Sequence, residues 1–275
     1  MTRAIAHVAV VLVVVVSGAA GPALAATPAT EQPRSVTGPT APQVSQTTNG
    51  CTFPFSETDS TGTNVTVDAP PERVVTLGAS AAQTMWEIDS ARDKVVAYTT
   101  FASYLDDIND SRTLLTYTEN QRLTNNSIDT VVDLDPDVVI AANIIAPEDV
   151  RALRERGVTV YRFRTATDIE FIYQKTRLTG RLVGECDAAD ARTAELRDQV
   201  ETIRRATAGV REKRVFNPGF GGVTPGRNTF IDEIITVAGG ENLGRLAGDG
   251  TGYNTYNSER ITAADPEWIT GAGFV

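Results

Sequence analysis

The feature that most constrains the fold is a regular alternation of short apolar runs and helix-like stretches in the first half of the chain. The apolar runs read as strands flanked by turn-forming residues: "RVVTLG", "KVVAYTT", "PDVVIAAN" and "VTVYRF". The stretches between them carry apolar residues at helical spacing: "SAAQTMWEI", "SIDTVVDL" and "APEDVRALRERG". Strands and helices that alternate in this way predict an α/β fold with a largely parallel sheet.

The second half departs from this alternation. From Thr167 to about Lys213 there is almost no strand signal, and Arg and Glu residues are abundant. Next come a predicted strand, "RVFNPGF", a glycine-rich loop, "GGVTPGRN", and a helix that ends at two glycines, "TFIDEIITVAGGENL". The pattern predicts two α/β segments joined by a long helical connector.

One short pattern occurs once in each predicted segment. "SIDTVVDLDPDVVI" and "SERITAADPEWIT" both begin with Ser and an early acid, continue through a helix-like stretch, and reach an apolar strand through Asp-Pro. Two lobes of similar build would produce this recurrence. Chance would also produce it, because a capped helix followed by a turn before proline is common.

The N-terminus carries a targeting pattern. Residues 1–25 have a basic residue near the start, a short apolar run and an Ala-Leu-Ala site, which is typical of a secretory signal. Residues 26–50 are rich in Thr, Pro, Ser and Gln and are predicted to be a disordered tether. The remaining chain is divided into three predicted parts: an N-terminal α/β lobe at 51–165, a helical connector at 166–212 and a partial C-terminal α/β lobe at 213–275.

The charged residues of the chain bear on which partner it binds and on the kind of organism it comes from. A net charge of -10 argues against nucleic acid as the main partner, because phosphate binding requires clustered cations. Lysine is scarce after the predicted signal, where it occurs only at Lys94, Lys175 and Lys213. Such an acidic, lysine-poor chain resembles proteins of salt-loving prokaryotes, haloarchaea in particular. A GC-rich genome would produce the same preference for Arg.

Histidine and cysteine limit the chemistry further. The single histidine, His7, lies in the predicted signal, which excludes Ser-His-Asp and Cys-His catalysis and the usual histidine-based zinc sites. No resident metal or cofactor is predicted. Cys51 and Cys186 are either one disulfide or two unrelated thiols.

Several stretches, in order from about Arg73 to Ile269, resemble one family. These are "PERVVTLGASAAQTMWEI", "SIDTVVDLDPDVVIAAN", "LRERGVTVYRF", the helical region, "TPGRNTFIDEIITVAGGENL" and "SERITAADPEWI". The chain is similar to the solute-binding proteins of ABC importers for cobalamin, haem and ferric siderophores. The resemblance implies two Rossmann-like lobes joined by a helical spine, with the ligand held in the cleft between them. It also implies a monomer that is secreted or associated with the cell surface, lacks catalytic activity and delivers its ligand to a permease and ATPase complex.

One departure from the family concerns the end of the chain. The family continues well past the strand after "DPEWI", whereas this sequence ends at "TGAGFV". We therefore expect the second lobe to be incomplete, as in a truncated product. An incomplete sheet leaves an exposed edge.

The resemblance and the positions at strand ends together predict the ligand-binding residues. They are Ser80, Tyr98, Tyr104, Asn143, Phe220, Thr224 and Tyr253. Aromatic faces suit flat corrins and chelates, whereas Ser80 and Asn143 would contact polar groups of the ligand. The alternatives are core packing for the aromatic residues and an ordinary N-cap for Ser80.

The resemblance also implies one permease-docking acid in each lobe, and the matching positions are Asp129 and Glu259. Exposed carboxylates can pair with permease arginines. The alternative is compensation of the helix dipole.

Two other functions remain open from the residues alone: a carboxylate-based metal-ion binding protein and a non-functional remnant of the importer family. An enzyme has little support, since no dinucleotide fingerprint, Cys cluster or nucleophile–base pair is present. The ligand is not determined, because cobalamin would favour neutral aromatic residues, a catecholate siderophore would favour arginines such as Arg164 and Arg227, and haem would need an axial tyrosine.

Overall fold

The computed structural model describes residues 46–108, 111–118 and 122–271, apart from the side chain of Phe220. The predicted signal and most of the predicted tether therefore lie outside the described residues. The last residues of the tether differ from the prediction, because Gln46–Thr48 (β1) pairs antiparallel with Cys51–Phe53 (β2). The pair turns through Asn49 and Gly50, both at positive φ. Asn-Gly is a strong hairpin signal, and it outweighs the polar composition of the segment.

A second hairpin precedes the main sheet. It consists of Phe55–Thr58 (β3) and Asn64–Val67 (β4), which pair antiparallel. The turn between them is organised by the buried Asp59, whose carboxylate accepts hydrogen bonds from the main chain at Thr61 and Thr63. Asp59 also accepts from Arg154 at 2.6 Å, so the hairpin is fastened to the lobe that follows.

The N-terminal lobe is a five-stranded parallel sheet with three helices, in agreement with the predicted α/β class. The strand order is β7-β6-β5-β8-β9. The elements follow in chain order: Val74–Leu77 (β5), Ala79–Glu87 (α1), Val95–Thr99 (β6), Thr113–Leu115 (β7), Asn125–Asp133 (α2), Val138–Ala141 (β8), Pro147–Arg154 (α3) and Val160–Arg162 (β9). Every residue of β5 and β8 is buried, because both faces of a parallel sheet are covered.

The predicted helical spine consists of two helices, Ile169–Val183 (α4) and Cys186–Thr207 (α5). Gly184 ends α4 in the left-handed conformation, at φ 76°. The ion pairs Glu170–Arg197 and Arg177–Asp190 show that the helices run antiparallel. A disulfide between Cys51 and Cys186 fastens the start of α5 to β2, which confirms the disulfide alternative.

The C-terminal lobe is smaller. It contains Lys213–Phe216 (β10), Val223–Pro225 (β11), Phe230–Val237 (α6), Gly240–Asn242 (β12), Tyr253–Thr255 (β13), Ser258–Ala263 (α7) and Trp268–Ile269 (β14). The sheet β12-β10-β14 is parallel, and β11, which lies in the predicted glycine-rich loop, pairs antiparallel with β13 to form a two-stranded ribbon. Glu233 of α6 accepts a hydrogen bond from the first N–H of α4, at Ile169, and so attaches this lobe to the spine. None of the helices in the described ranges has the length and apolar character needed to cross a bilayer.

Candidate ligand-binding edges of the two lobes

At the carboxyl edge of the N-terminal sheet, the ends of β5, β6 and β8 meet around Gly78. This residue adopts φ 92°, and a Cβ atom here would lie 2.8 Å from that of Ala142, which follows β8. The N–H of Gly78 donates to Oγ1 of Thr99 at the end of β6. A glycine is therefore required where the ends of β5, β6 and β8 meet.

Helix α1 starts at this edge with free donors. Its N-cap position is Gly78, and no side chain caps it, so the alternative role of Ser80 as N-cap is wrong. The N–H groups of Ala79 and Ser80 have no hydrogen-bond partner within the described part of the chain. Ser80 is exposed, and its carbonyl oxygen accepts from Nζ of Lys175 at 2.8 Å. Free N–H groups at a helix start favour a polar or anionic ligand group.

Of the two predicted tyrosines in this lobe, only Tyr104 is exposed. Tyr98 is 2% exposed and packs in a core cluster with Ala82, Ala102 and Ile108, so the structure contradicts its predicted place on a cleft wall. Tyr104 is 59% exposed, and its hydroxyl donates to Gln83 at 2.8 Å. Partial burial and the charge of Glu87 raise the pKa of Tyr104.

The end of β8 supplies a polar and an apolar side chain. Asn143 is half-buried, and its amide donates to Oγ1 of Thr165 at 3.2 Å. The next residue, Ile144, is 52% exposed and would lie 3.5 Å from a Cβ on Gly78. Sequence analysis missed Ile144, although an apolar residue after a strand-terminal Asn is a signal that could have found it.

The three ligand-binding residues predicted in the second lobe lie in different environments. Thr224 is fully buried, and its hydroxyl donates to the carbonyl of Asn217 at 2.8 Å, so it stabilises the loop rather than facing a ligand. Tyr253 is 55% exposed on the ribbon strand β13. Burial of part of its ring raises the pKa of Tyr253. Phe220 lies in a short turn with Gly221 and Gly222, and its side chain is outside the described part of the structure.

A buried polar network holds this loop region in place, and sequence analysis did not identify it. Asp232 accepts from Asn242 at 2.8 Å and from Arg245 at 2.7 and 3.0 Å. Asn242 also donates to the carbonyl of Pro225 in β11. Burial opposes ionisation of Asp232, but its bonds to Arg245 and Asn242 outweigh that effect and lower the pKa of the carboxyl. The network joins α6, β11 and β12 and so fixes the base of the ribbon that carries Tyr253.

The two predicted docking acids both lie on the surface. Asp129 is on α2, with its side chain 58% exposed, and forms an ion pair with Arg156. Glu259 is exposed in the first turn of α7. It has no ion-pair partner among the described residues. In the same ranges, no group of three or more His, Cys, Asp or Glu side chains is placed to hold a metal ion.

Comparison with known proteins supports the resemblance seen in the motifs. The family described as "Periplasmic binding protein" matches residues 74–273. A cobalamin-binding protein of Halobacterium salinarum is 39% identical over 241 residues, which cover 86% of this chain and 64% of the relative. An uncharacterized ABC transporter substrate-binding lipoprotein of Bacillus subtilis, YvrC, is 25% identical over 226 residues, or 79% of this chain and 68% of the relative.

Two solved structures show the same fold. The haem-binding protein HmuT superposes with a TM-score of 0.64 at 20% identity, over 80% of this chain and 72% of its own. The vitamin B12-binding protein BtuF of Vibrio cholerae superposes with a TM-score of 0.58 at 18% identity, over 74% of this chain and 77% of its own. The chain spans less than two thirds of the length of the Halobacterium relative. These relatives are binding proteins rather than enzymes, and the chain belongs to the periplasmic binding protein family.

Proposed function

We propose that this chain is the extracytoplasmic binding component of an ABC importer and that it holds a corrinoid between the carboxyl edges of its two sheets. The observation that supports this best is the edge at Gly78. There, N–H groups at the start of α1 that have no partner among the described residues lie beside the exposed side chain of Ile144, and the exposed Tyr104 is hydrogen-bonded to Gln83 of the same helix. A flat ligand with peripheral amides needs an apolar face and polar contacts of this kind.

A corrinoid fits better than haem or a siderophore. The relative with the highest identity reported above is a cobalamin-binding protein, at 39%. Beyond the predicted signal the chain has no histidine to ligate haem iron, so haem would depend on Tyr104 or Tyr253. A catecholate siderophore would need arginines at the edge, whereas Arg164 lines a cavity with Phe171 and Leu178 of α4.

The proposed location follows from the covalent structure and the relatives. The Cys51–Cys186 disulfide indicates an oxidising compartment, which agrees with the predicted secretory signal. The lipoprotein relative is described as an ABC transporter substrate-binding protein. Delivery to a permease through Asp129 and Glu259 is part of this proposal, since both acids are exposed.

Calorimetric titration of residues 26–275 at high salt tests the proposal, with cyanocobalamin, haemin and ferric siderophores as probes. We expect saturable one-to-one binding of cyanocobalamin. Tyr104→Ala should weaken it about tenfold through loss of an aromatic contact. Val210→Ala, at an exposed apolar residue after α5, is the matched control and should leave the affinity unchanged. If the chain is folded by circular dichroism and binds none of the probes, the proposal fails.

A further inference from the structure

A cavity of about 410 Å³ lies between the β3–β4 hairpin, the end of β9 and helix α4. Its apolar wall is formed by Tyr161 and Phe163 on one side and by Phe171 and Leu178 of α4 on the other. None of the predicted ligand-binding or docking residues lines it. Its volume is within the range of pockets that hold small molecules.

Three cations line the same cavity and form no ion pair within 4.0 Å with a carboxylate in the described part of the chain: Arg164, Lys175 and Arg181. The Arg164 guanidinium stacks 3.9 Å from the centre of the Phe171 ring and, among the described residues, donates to the main-chain oxygen of Thr165. Arg181 is exposed and has no hydrogen-bond or ion-pair partner among the described residues. Lys175 is 6% exposed, and the hydrogen bond it makes to a described residue is to the carbonyl of Ser80.

The acids near these cations are already engaged. Asp59 accepts from Arg154 at 2.6 Å and is fully buried. Asp168 caps α4 through the N–H of Phe171, and its pKa is lowered by hydrogen bonds from Thr167 and Phe171 and by the nearby charge of Arg164. Asp190 pairs with Arg177, the fourth cation of the lining. Glu57 is then the remaining acid of the lining, so positive charge is in excess.

We propose that this cavity binds a small organic anion with an apolar body, of the aromatic carboxylate class. Its carboxylate would pair with the exposed Arg164 guanidinium, its ring would lie against the apolar wall, and Arg181 would add positive charge further along α4. The chain as a whole carries a net charge of -10, so the excess of positive charge at this cavity does not simply reflect the overall composition. Burial lowers the pKa of Lys175 to about 8, and a bound carboxylate would stabilise the charged amine.

The consequence is a second site, separate from the proposed corrinoid site. The buried Lys175 amine donates to Ser80 at the start of α1, so the two sites have one hydrogen bond in common. The inference does not depend on the identity of the ligand at the carboxyl edges, because no residue proposed there lines the cavity.

Calorimetry of residues 26–275 with benzoate, benzyl alcohol and inorganic phosphate tests the inference. We expect saturable millimolar or tighter binding of benzoate and none of the neutral alcohol. Arg164→Gln should weaken benzoate binding about tenfold through loss of a charge-assisted hydrogen bond, and Arg181→Gln should weaken it less, through loss of positive charge at the cavity. Arg205→Gln on α5, an exposed arginine outside the cavity, should have no effect.

Three outcomes would overturn the inference. The first is a folded protein that does not bind benzoate. The second is benzoate affinity that Arg164→Gln and Arg181→Gln leave unchanged. The third is phosphate binding without benzoate binding, which would show an anion site with no use for the apolar wall. Cyanocobalamin titration of the same variants separates the two proposals, since we expect its affinity to stay within about twofold of the unsubstituted chain.

Discussion

The two occurrences of the Ser…Asp-Pro pattern make closely similar contacts in the two lobes. In the first, Arg73 before β5 donates through Nε and Nη2 to the carbonyl of Leu134, at 3.1 and 2.7 Å. In the second, Arg214 at the corresponding place in β10 donates through Nε to the carbonyl of Asp265, at 2.8 Å. An arginine thus closes the end of the helix in both lobes, although the accepting carbonyl lies two residues before the proline in the first lobe and one residue before it in the second.

The acid that follows each proline is equivalent as well. Asp137 accepts from the N–H of Arg73 at 2.8 Å, and Glu267 accepts from the N–H of Arg214 at 3.2 Å. The next residues pair in the same register, Val74 with Val138 and Val215 with Trp268. Chance recurrence of a turn would not reproduce this register, so the two lobes share one local build.

The difference lies on the far side of the second strand. Strand β8 lies between β5 and β9 and is buried along its length. Within the described residues β14 pairs only with β10, and its side chains are exposed, Trp268 at 49% and Ile269 at 69%. The same local sequence therefore sets the turn and the pairing, whereas burial depends on what covers the strand.

The largest expected effect concerns the docking acids, which lie on the two equivalent helices. Asp129→Arg and Glu259→Arg should abolish uptake of ligand in a reconstituted importer and leave ligand affinity unchanged, because reversed charge would repel permease arginines. Glu201→Arg on α5, also an exposed carboxylate, is the control. Loss of ligand binding in either docking variant would contradict the assignment. Loss of uptake in only one of the two variants would show that the two lobes do not contribute equally to docking.

The next effect concerns the disulfide, which cross-links the first lobe to the spine, whereas residues 213–275 contain no cysteine. The double change Cys51→Ser and Cys186→Ser should lower the free energy of unfolding by about 2–5 kcal/mol, since the bridge closes a long loop. Urea unfolding followed by circular dichroism measures this. The chain with both cysteines, treated with reductant, should show a similar loss. A change below about 0.5 kcal/mol would show that the hairpin β1–β2 holds without the bridge.

A matched pair of substitutions tests the contrast between β8 and β14. Val139 and Ile269 occupy equivalent register positions, but Val139 is fully buried. Val139→Ala should cost about 2–3 kcal/mol of unfolding free energy through lost burial and a residual cavity. Ile269→Ala should change it by less than about 0.5 kcal/mol. Equal costs in urea unfolding would mean that β14 is covered in solution, and the contrast between the lobes would then be wrong.

Much of the fold follows from the sequence, because strands such as β5 and β8 are continuous apolar runs between turn residues. Side-chain direction does not follow as easily. Tyr98 was predicted to line a cleft because it follows an apolar run, but a shift of one residue moves a strand side chain to the opposite face. The prediction for Thr224 was wrong for a similar reason, because nothing in the neighbouring sequence shows that its hydroxyl donates to the carbonyl of Asn217. The break at Gly184 was not predicted either, since a single glycine is tolerated in many helices.

The smallest expected effect is the acid titration of Glu267, the residue of the second lobe that is equivalent to Asp137 in the first. Hydrogen bonds from Arg211, Lys213 and Arg214 lower the pKa of Glu267 to about 2, from its ordinary value of 4.5. A carboxyl with a lowered pKa stabilises the fold above the ordinary value, and this stabilisation is lost as the pH falls from about 4.5 towards 2. The chain has two tryptophans, Trp86 and Trp268, so fluorotryptophan NMR can follow each lobe separately during acid titration. Glu267→Gln should remove a transition of the Trp268 signal in this range and leave the Trp86 signal unchanged. A Trp268 signal that titrates identically in both chains would show that Glu267 does not hold β14 against β10.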